Sequence, residues 1–168
     1  LKAKLPQEVQ DFADVWEIEV LGNKVYFRTD KAIFEFKNDT FVVHRATSTW
    51  LSIFIHEGAL LAQDTERGIL RFNDPKWQAF LPKAALPAGL VITDAVHYQG
   101  DTTLVSTVKH GLFLLTPDTF TSFGVSGTSS PIHYTALRVL QDKSFYVGTY
   151  ANGIYHLNAR GTVLENIN

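Results

Sequence analysis

The chain has 168 residues, of which 45% are apolar and 19% are charged, so it can build a core and lacks the composition of a disordered protein. Fifteen basic and seventeen acidic side chains leave a formal charge of −2, which gives no electrostatic reason to expect a nucleic acid as partner. The absence of cysteine excludes disulfides, thiolate metal sites and a cysteine nucleophile. No apolar run approaches the roughly 20 residues that cross a bilayer, and the first residues carry no signal-peptide pattern. Because the chain also contains no methionine, we expect it to be a segment of a longer protein.

From the N-terminus onward, one pattern occurs four times, with four short apolar bursts in each copy. The copies cover residues 14–46, 48–81, 92–124 and 134–167. Turn residues separate the bursts, such as LGN after the first burst of the first copy and QGD at the same place in the third. Runs rich in Val, Ile, Phe and Tyr, bounded by Gly, Asn, Asp and Pro, predict antiparallel hairpins.

Four strands in each repeat of about 40 residues are typical of β-propeller blades. The later bursts are apolar on both sides, as in GILRF at 68–72 and GLFLL at 111–115, which is expected of strands covered on both faces. Neighbouring blades would provide that cover, since an isolated blade cannot bury both of its faces. The sequence therefore predicts an all-β fold of four four-stranded antiparallel β-propeller blades, in a partial or open propeller.

A glycine precedes the third burst in three of the four copies, at Gly68, Gly111 and Gly153. A positive φ or a missing Cβ would let this hairpin close against the next blade, so we interpret the glycines as structural. Ala32 takes this place in the first copy, and its turn is expected to have a different shape.

The three tryptophans each adjoin a predicted strand. We interpret Trp16, Trp50 and Trp77 as core or inter-blade packing residues.

Catalytic and metal-binding patterns are weak. The six histidines are not at metal-ligand spacing, and HEGAL at 56–60 lacks the second histidine of a zinc-protease motif. FGVSGTSSP at 123–131 has the spacing G-x-S-G instead of G-x-S-x-G, and we interpret it as a flexible loop. Asp64 and Glu66 have no second acid at the separation that a glycosidase needs. We therefore expect no catalytic residues, no metal site and no cofactor, and a propeller hydrolase or lyase is the least favoured alternative.

Binding is easier to place, because in a propeller the loops joining the second and third strands gather with the inter-blade loops on one face. The inter-blade set comprises residues 46–49, 82–93 and 124–133. The first set supplies the candidate ligand-binding residues, which are Asp64, Glu66, Arg67, Lys109, His110, Tyr150 and Asn152. Their charges, hydrogen-bonding groups and single aromatic ring suit an oligosaccharide or another small polar ligand. Solvated loops that bind no ligand are the alternative.

Three segments resemble blades of the two-component regulator propeller family. They are GTYANGIYHLNARGTVLENIN at 148–168, DVWEIEVLGNKVYFRTDKAIFEF at 14–36 and RGILRFN at 67–73. The resemblance covers residues 14–167. The full G-T-x-x-N-G form occurs only at Gly148–Gly153, where the second copy has QDTERG and the third has STVKHG.

In that family the blades form the extracytoplasmic sensor region of bacterial hybrid histidine kinases and related regulators, followed by a sandwich domain, a membrane helix and signalling modules. The resemblance implies a periplasmic or extracytoplasmic location, a membrane-anchored parent protein, and ligand sensing without catalysis, with a glycan fragment as a plausible signal. A scaffold that binds another protein through the same face or through an open edge is the alternative.

Four blades in an open arc would leave an apolar blade face uncovered at each end. Because family rings commonly have seven blades, we expect either self-association of two copies, toward an eight-blade ring, or packing contacts that cover these faces.

Overall fold

The computed structural model describes residues 5, 7–12, 14–128 and 132–168, so the end of the loop predicted at 123–131 lies outside the described residues. The chain forms two compact units, Leu1–Lys83 and Ala84–Asn168. Each unit holds two four-stranded sheets with antiparallel neighbours in simple chain order. The predicted all-β class and the four antiparallel four-stranded sheets are confirmed.

Unit 1 contains blade 1, formed by β1 to β4, and blade 2, formed by β5 to β8. Its strands are β1 (Glu17–Leu21), β2 (Lys24–Arg28), β3 (Ala32–Lys37), β4 (Thr40–Arg45), β5 (Trp50–His56), β6 (Ala59–Asp64), β7 (Gly68–Asn73) and β8 (Lys76–Pro82). A short 3₁₀ turn, Gln7–Val9, precedes them, and a second one, Lys83–Ala85, follows.

Unit 2 contains blade 3, formed by β9 to β12, and blade 4, formed by β13 to β16. Its strands are β9 (Ile92–Gln99), β10 (Thr102–Thr107), β11 (Leu112–Leu115), β12 (Phe120–Phe123), β13 (Tyr134–Val139), β14 (Phe145–Thr149), β15 (Ile154–Leu157) and β16 (Val163–Ile167). Ser126, in the segment interpreted as a flexible loop, forms a parallel bridge with Thr162, and its N–H donates to the Gly161 carbonyl at 3.0 Å. That part of the predicted loop is therefore attached to the edge of blade 4.

The two blades within each unit pack face to face. In unit 1 the shared core joins Tyr26 and Ile33 of blade 1 to Ile53, Leu60 and Leu70 of blade 2. We call the face of blade 1 that contacts blade 2 its forward face, and the opposite face its backward face; the same terms apply to the equivalent residues of the other blades. Side chains alternate between the two faces along each strand, so a repeat position determines which face a residue occupies.

Unit 2 repeats this arrangement. Leu104 and Leu112 of blade 3 pack against Leu137, Phe145 and Val147 of blade 4 in one buried cluster. Leu104 is equivalent to Tyr26, because each lies three residues before the threonine of its turn. Leu112 is equivalent to Ile33, because each is the second residue after that turn's loop, following Gly111 and Ala32. The forward and backward faces are therefore built from equivalent positions in both units.

A carboxylate links the first strands of paired blades. In unit 1 the backbone N–H of Ile53 donates to Glu17 Oε2 at 2.6 Å. In unit 2 the N–H of Leu137 donates to Asp94 Oδ2 at 2.8 Å. Glu17 and Asp94 occupy the same position in their blades, since they pair across the sheet with Arg28 and Ser106, each one residue before the turn. Inter-blade contact thus combines apolar packing with a charge-assisted hydrogen bond at an equivalent position in both units.

The N-terminal segment covers part of blade 1. Leu5, Val9 and Phe12 pack with Phe34 and Phe27 on the backward face. We expected an open apolar face at this end, and the structure shows that it is covered on β2 and β3, whereas the first strand, β1, keeps exposed apolar side chains.

The turn glycines have the predicted positive φ. The backbone that approaches them, however, is not the one that was predicted. Gly68 and Gly153 have φ values of 90° and 69°. A Cβ at Gly153 would lie 2.1 Å from the carbonyl oxygen of Ile167, and one at Gly68 would lie 2.4 Å from that of Leu81. The close approach is therefore to the fourth strand of the same blade, and the prediction that it is to the next blade is wrong.

The three tryptophans differ in how far their side chains are buried. Trp50 is buried and its ring lies 5.0 Å from the half-buried Trp77, so the packing role predicted for both is confirmed. Trp16 is exposed, and its predicted core role is wrong. Trp16 precedes Glu17, the first paired residue of β1, whereas Trp50 pairs with Asp64 inside its sheet.

Candidate functional site

The turn between the second and third strands of each blade is held by one capping side chain. In blade 4 the Thr149 hydroxyl accepts the N–H of Asn152 at 2.8 Å and donates to the carbonyl of Gly153 at 2.8 Å. Thr107 holds the equivalent turn of blade 3 in the same way. These caps fix the backbone of a three-residue loop in each of the two blades.

Blade 1 has a shorter turn at this place. Both the N–H and the hydroxyl of Thr29 donate to the carbonyl of Ala32, at 2.8 and 3.0 Å, which leaves only Asp30 and Lys31 between them. The expectation that the Ala32 turn differs in shape is confirmed, since a two-residue loop does not need the glycine of the longer ones.

Asp64 is the capping residue of blade 2. Its side chain is only 2% exposed, and Oδ1 accepts the hydroxyl of Ser48 and the N–H groups of Glu66 and Arg67 at 2.8 to 3.0 Å. The position corresponds to that of Thr149. Asp64 therefore belongs to the scaffold of the turn, and its carboxylate presents little surface to a ligand.

Glu66 and Arg67 are exposed on the same turn as Asp64, in unit 1. Glu66 pairs with Lys83 at 3.3 Å between two exposed side chains. One terminal nitrogen of Arg67 lies 3.5 Å from the carbonyl of Trp77. The structure thus gathers these two candidates and adds Lys83, which the sequence did not identify.

Unit 2 carries the other four candidates on the turns of two adjacent blades. Tyr150 is 80% exposed, and its ring stacks on that of His133 with centroids 5.5 Å apart and planes 19° from parallel. Lys109 and Asn152 are exposed, whereas His110 is half-buried. An exposed aromatic ring can stack on an apolar sugar face, and amide and ammonium groups can hydrogen-bond sugar hydroxyls.

His133 was not among the predicted site residues. Its carbonyl accepts the N–H of Tyr150 at 3.0 Å, and this bond holds the two rings side by side. The equivalent bonds in the other blades join Thr65 to Thr49 and Val108 to Val91. A register alignment of the repeats would therefore have placed residue 133 opposite residue 150.

A cleft of about 370 Å³ opens in unit 1 beside the short turn of blade 1. Its lining residues are Asp11, Phe12, Asp14, Trp16, Asp30 and Lys31. The sequence did not predict this cleft, because it depends on how the N-terminal segment lies over blade 1.

A second cleft of unit 1, about 510 Å³, lies between the two blades beside an ionic network. Lys24 binds Glu35 at 2.6 Å and Asp74 at 3.0 Å, and His44 Nε2 lies 3.3 Å from Glu35. The hydrogen bond with Glu35 raises the pKa of Lys24, whereas burial lowers the pKa of His44 despite the same carboxylate. A neutral imidazole and a charged lysine thus share one carboxylate, and the bridge to Asp74 joins the blades.

Within the described ranges, no three His, Asp or Glu side chains are placed to hold a metal ion. No helix of the described residues has the length and apolarity needed to span a membrane.

Comparison with known proteins gives fold relatives only. No family model matches the chain, and no curated protein matches it. Among solved structures, the extracellular domain of a protein described as the hybrid two component system BT3049 from B. thetaiotaomicron matches 98% of this chain with a TM-score of 0.74 and 16% identity. The extracellular domain of BT4673 from the same organism matches 97% of this chain with a TM-score of 0.69 and 15% identity. The WD40 β-propeller domain of Doa1 matches 85% with a TM-score of 0.57 and 14% identity.

The chain spans 24% of the BT3049 domain, 23% of the BT4673 domain and 50% of the Doa1 domain. These likenesses agree with the strand order of the four sheets. The fold of this chain is that of consecutive β-propeller blades.

Proposed function

We propose that this chain is a ligand-sensing propeller segment from the extracytoplasmic part of a bacterial two-component regulator, and that it belongs to the two-component regulator propeller family. The blade phrases in the sequence and the similarity to extracellular domains of sensor systems support this proposal. The segment senses without catalysis. Binding passes to the signalling part of a membrane-anchored parent protein as a conformational or dimerisation change.

The proposed signal is an oligosaccharide, and the turns of unit 2 bind it. The stacked Tyr150 and His133 rings carry this proposal, because an exposed tyrosine held flat by a neighbouring ring offers a preformed surface to a sugar face. Asn152 and Lys109 donate hydrogen bonds to hydroxyl or carboxylate groups of the sugar. A turn fixed by the Thr149 cap loses little conformational entropy when the ligand binds.

A panel of neutral and acidic oligosaccharides, screened by thermal shift and followed by calorimetric titration, tests the proposal. We expect at least one oligosaccharide to raise the melting temperature, because a ligand that binds only the folded chain stabilises it. Tyr150→Ala should weaken its binding by about fivefold or more, since stacking of this kind contributes on the order of 1 kcal/mol.

Tyr146→Ala is the matched control, because Tyr146 also stacks on a histidine, His156, at 4.4 Å, but lies on a blade face away from the turns. Its binding should be unchanged. Failure of every oligosaccharide to bind, or equal binding by the Tyr150→Ala variant, would contradict the proposal.

A further inference from the structure

The candidate ligand-binding turns of unit 2 lie at an end of the unit that carries basic groups and no acidic ones. In blades 3 and 4, the N–H of the first turn residue donates to a carbonyl of the segment that leads into the blade, at 2.9 and 3.0 Å. The residues that these bonds bring together, which we call the turn end of unit 2, are 91, 108–111, 133 and 150–153. None of them is Asp or Glu, and their basic side chains are Lys109, His110 and His133.

The carboxylates of unit 2 lie elsewhere. Three are in the hairpin turns at the opposite end of the blades, which are Asp101, Asp118 and Asp142. Glu165 lies on the outer strand β16. Asp94 is the acid nearest to the turn end along the chain, and its two oxygens accept the backbone N–H groups of Ala95 and Leu137, each at 2.8 Å. The linkers 84–91 and 124–133 add no further acid.

The equivalent turns of unit 1 have a different charge. Asp30 is exposed on the turn of blade 1, and Glu66 is exposed on that of blade 2, where Asp64 is the cap. In unit 2 the caps are Thr107 and Thr149, whose hydroxyls accept the corresponding N–H groups without a charge. The whole chain has a formal charge of −2, so the basic character of the turn end does not come from a basic chain.

We propose that the ligand of the unit 2 turns is an anionic oligosaccharide, and that Lys109 binds its carboxylate or sulfate group. This inference rests on the proposed function, because Tyr150 stacks on the sugar ring. Lys109 and His133 are exposed. An ammonium group attracts an anion, and an imidazole donates an N–H to an anionic oxygen whether it is neutral or charged. Since the turn end has no carboxylate to repel the ligand, an acidic sugar binds more tightly than a neutral sugar of the same shape.

Calorimetric titration with two matched pairs of probes tests the proposal. One pair is an oligogalacturonide and its carboxyl-reduced product, and the other is a sulfated galacto-oligosaccharide and its desulfated counterpart. In at least one pair, the acidic member should bind about tenfold or more tightly than the neutral member, and the pair that shows this difference identifies the anionic group. Added salt should weaken the binding of the acidic member, because salt screens exposed charges.

Variants of Lys109 locate the anion. Lys109→Gln should weaken binding of the acidic probe by about fivefold and change binding of the neutral probe by less than twofold, whereas Lys109→Arg should retain the affinity for the acidic probe. Arg160→Gln is the matched control, because Arg160 is exposed on a turn at the opposite end of blade 4 and carries the same charge. This control should bind both probes as the unmodified chain does.

The outcomes separate this inference from the proposed function. Equal or tighter binding of the neutral members would overturn the inference and leave the proposed function standing. The same holds if neither pair binds and another neutral oligosaccharide binds in a way that depends on Tyr150. Failure of every oligosaccharide to bind would overturn both. An acidic probe that bound Lys109→Gln as tightly as the unmodified chain would also overturn the inference, because its anion would then lie away from the turn end.

Discussion

At the scale of single residues, two glycines of unit 2 show that a turn position can require glycine for two different reasons. Gly111 and Gly153 occupy the same turn position and have φ values of 84° and 69°. A Cβ at Gly111 would meet no atom within 4 Å, whereas one at Gly153 would collide with the backbone of β16. The first position needs only the positive φ, and the second needs the missing side chain as well.

Gly153→Ala should therefore destabilise the protein more than Gly111→Ala does. The positive φ alone costs about 1 kcal/mol, and displacing backbone adds roughly 1–3 kcal/mol. Urea unfolding of both variants measures the difference, with Gly111→Ala as the matched control. Equal losses of unfolding free energy in the two variants would contradict the role assigned to the Ile167 contact.

At the scale of the strands, the carboxylate of Asp94 makes a hydrogen bond between blade 3 and blade 4 in addition to their apolar packing. Its Oδ2 accepts the N–H of Leu137 at 2.8 Å and also lies 3.3 Å from an Arg138 nitrogen. The Arg138 side chain is 76% exposed, so its ion pair contributes little, whereas the backbone N–H loses its partner if the carboxylate is removed.

Asp94→Ala should lower the free energy of unfolding by about 1–3 kcal/mol, because it leaves the backbone N–H of the buried Leu137 without its acceptor. Arg138→Ala should cost less than about 1 kcal/mol, as expected for an exposed ion pair. Chemical denaturation of both variants tests this order. If Arg138→Ala proved the more destabilising change, the ion pair and not the backbone bond would hold the blades together.

Much of this architecture was predictable from sequence, because blade strands covered on both sides read as continuous apolar runs such as GLFLL. The turn at Ala32 was also predictable, since a missing glycine changes the allowed loop. Trp16 was misplaced because its place beside a predicted strand does not reveal whether its side chain is covered, and in the structure it is 63% exposed. Asp64 seemed open to a ligand because a carboxylate at a turn is usually exposed, and its burial depends on Ser48 from another loop.

At the scale of the whole molecule, the carboxylate that accepts a backbone N–H from the paired blade is a feature of the first blade of each unit. Glu17 and Asp94 each supply a carboxylate from the forward side, but blade 4 has Ala136 at this position, paired with Gly148 one residue before Thr149. Blade 2 has Ser52 at the same position, paired with Gln63 one residue before Asp64, so the second blade of neither unit offers this carboxylate.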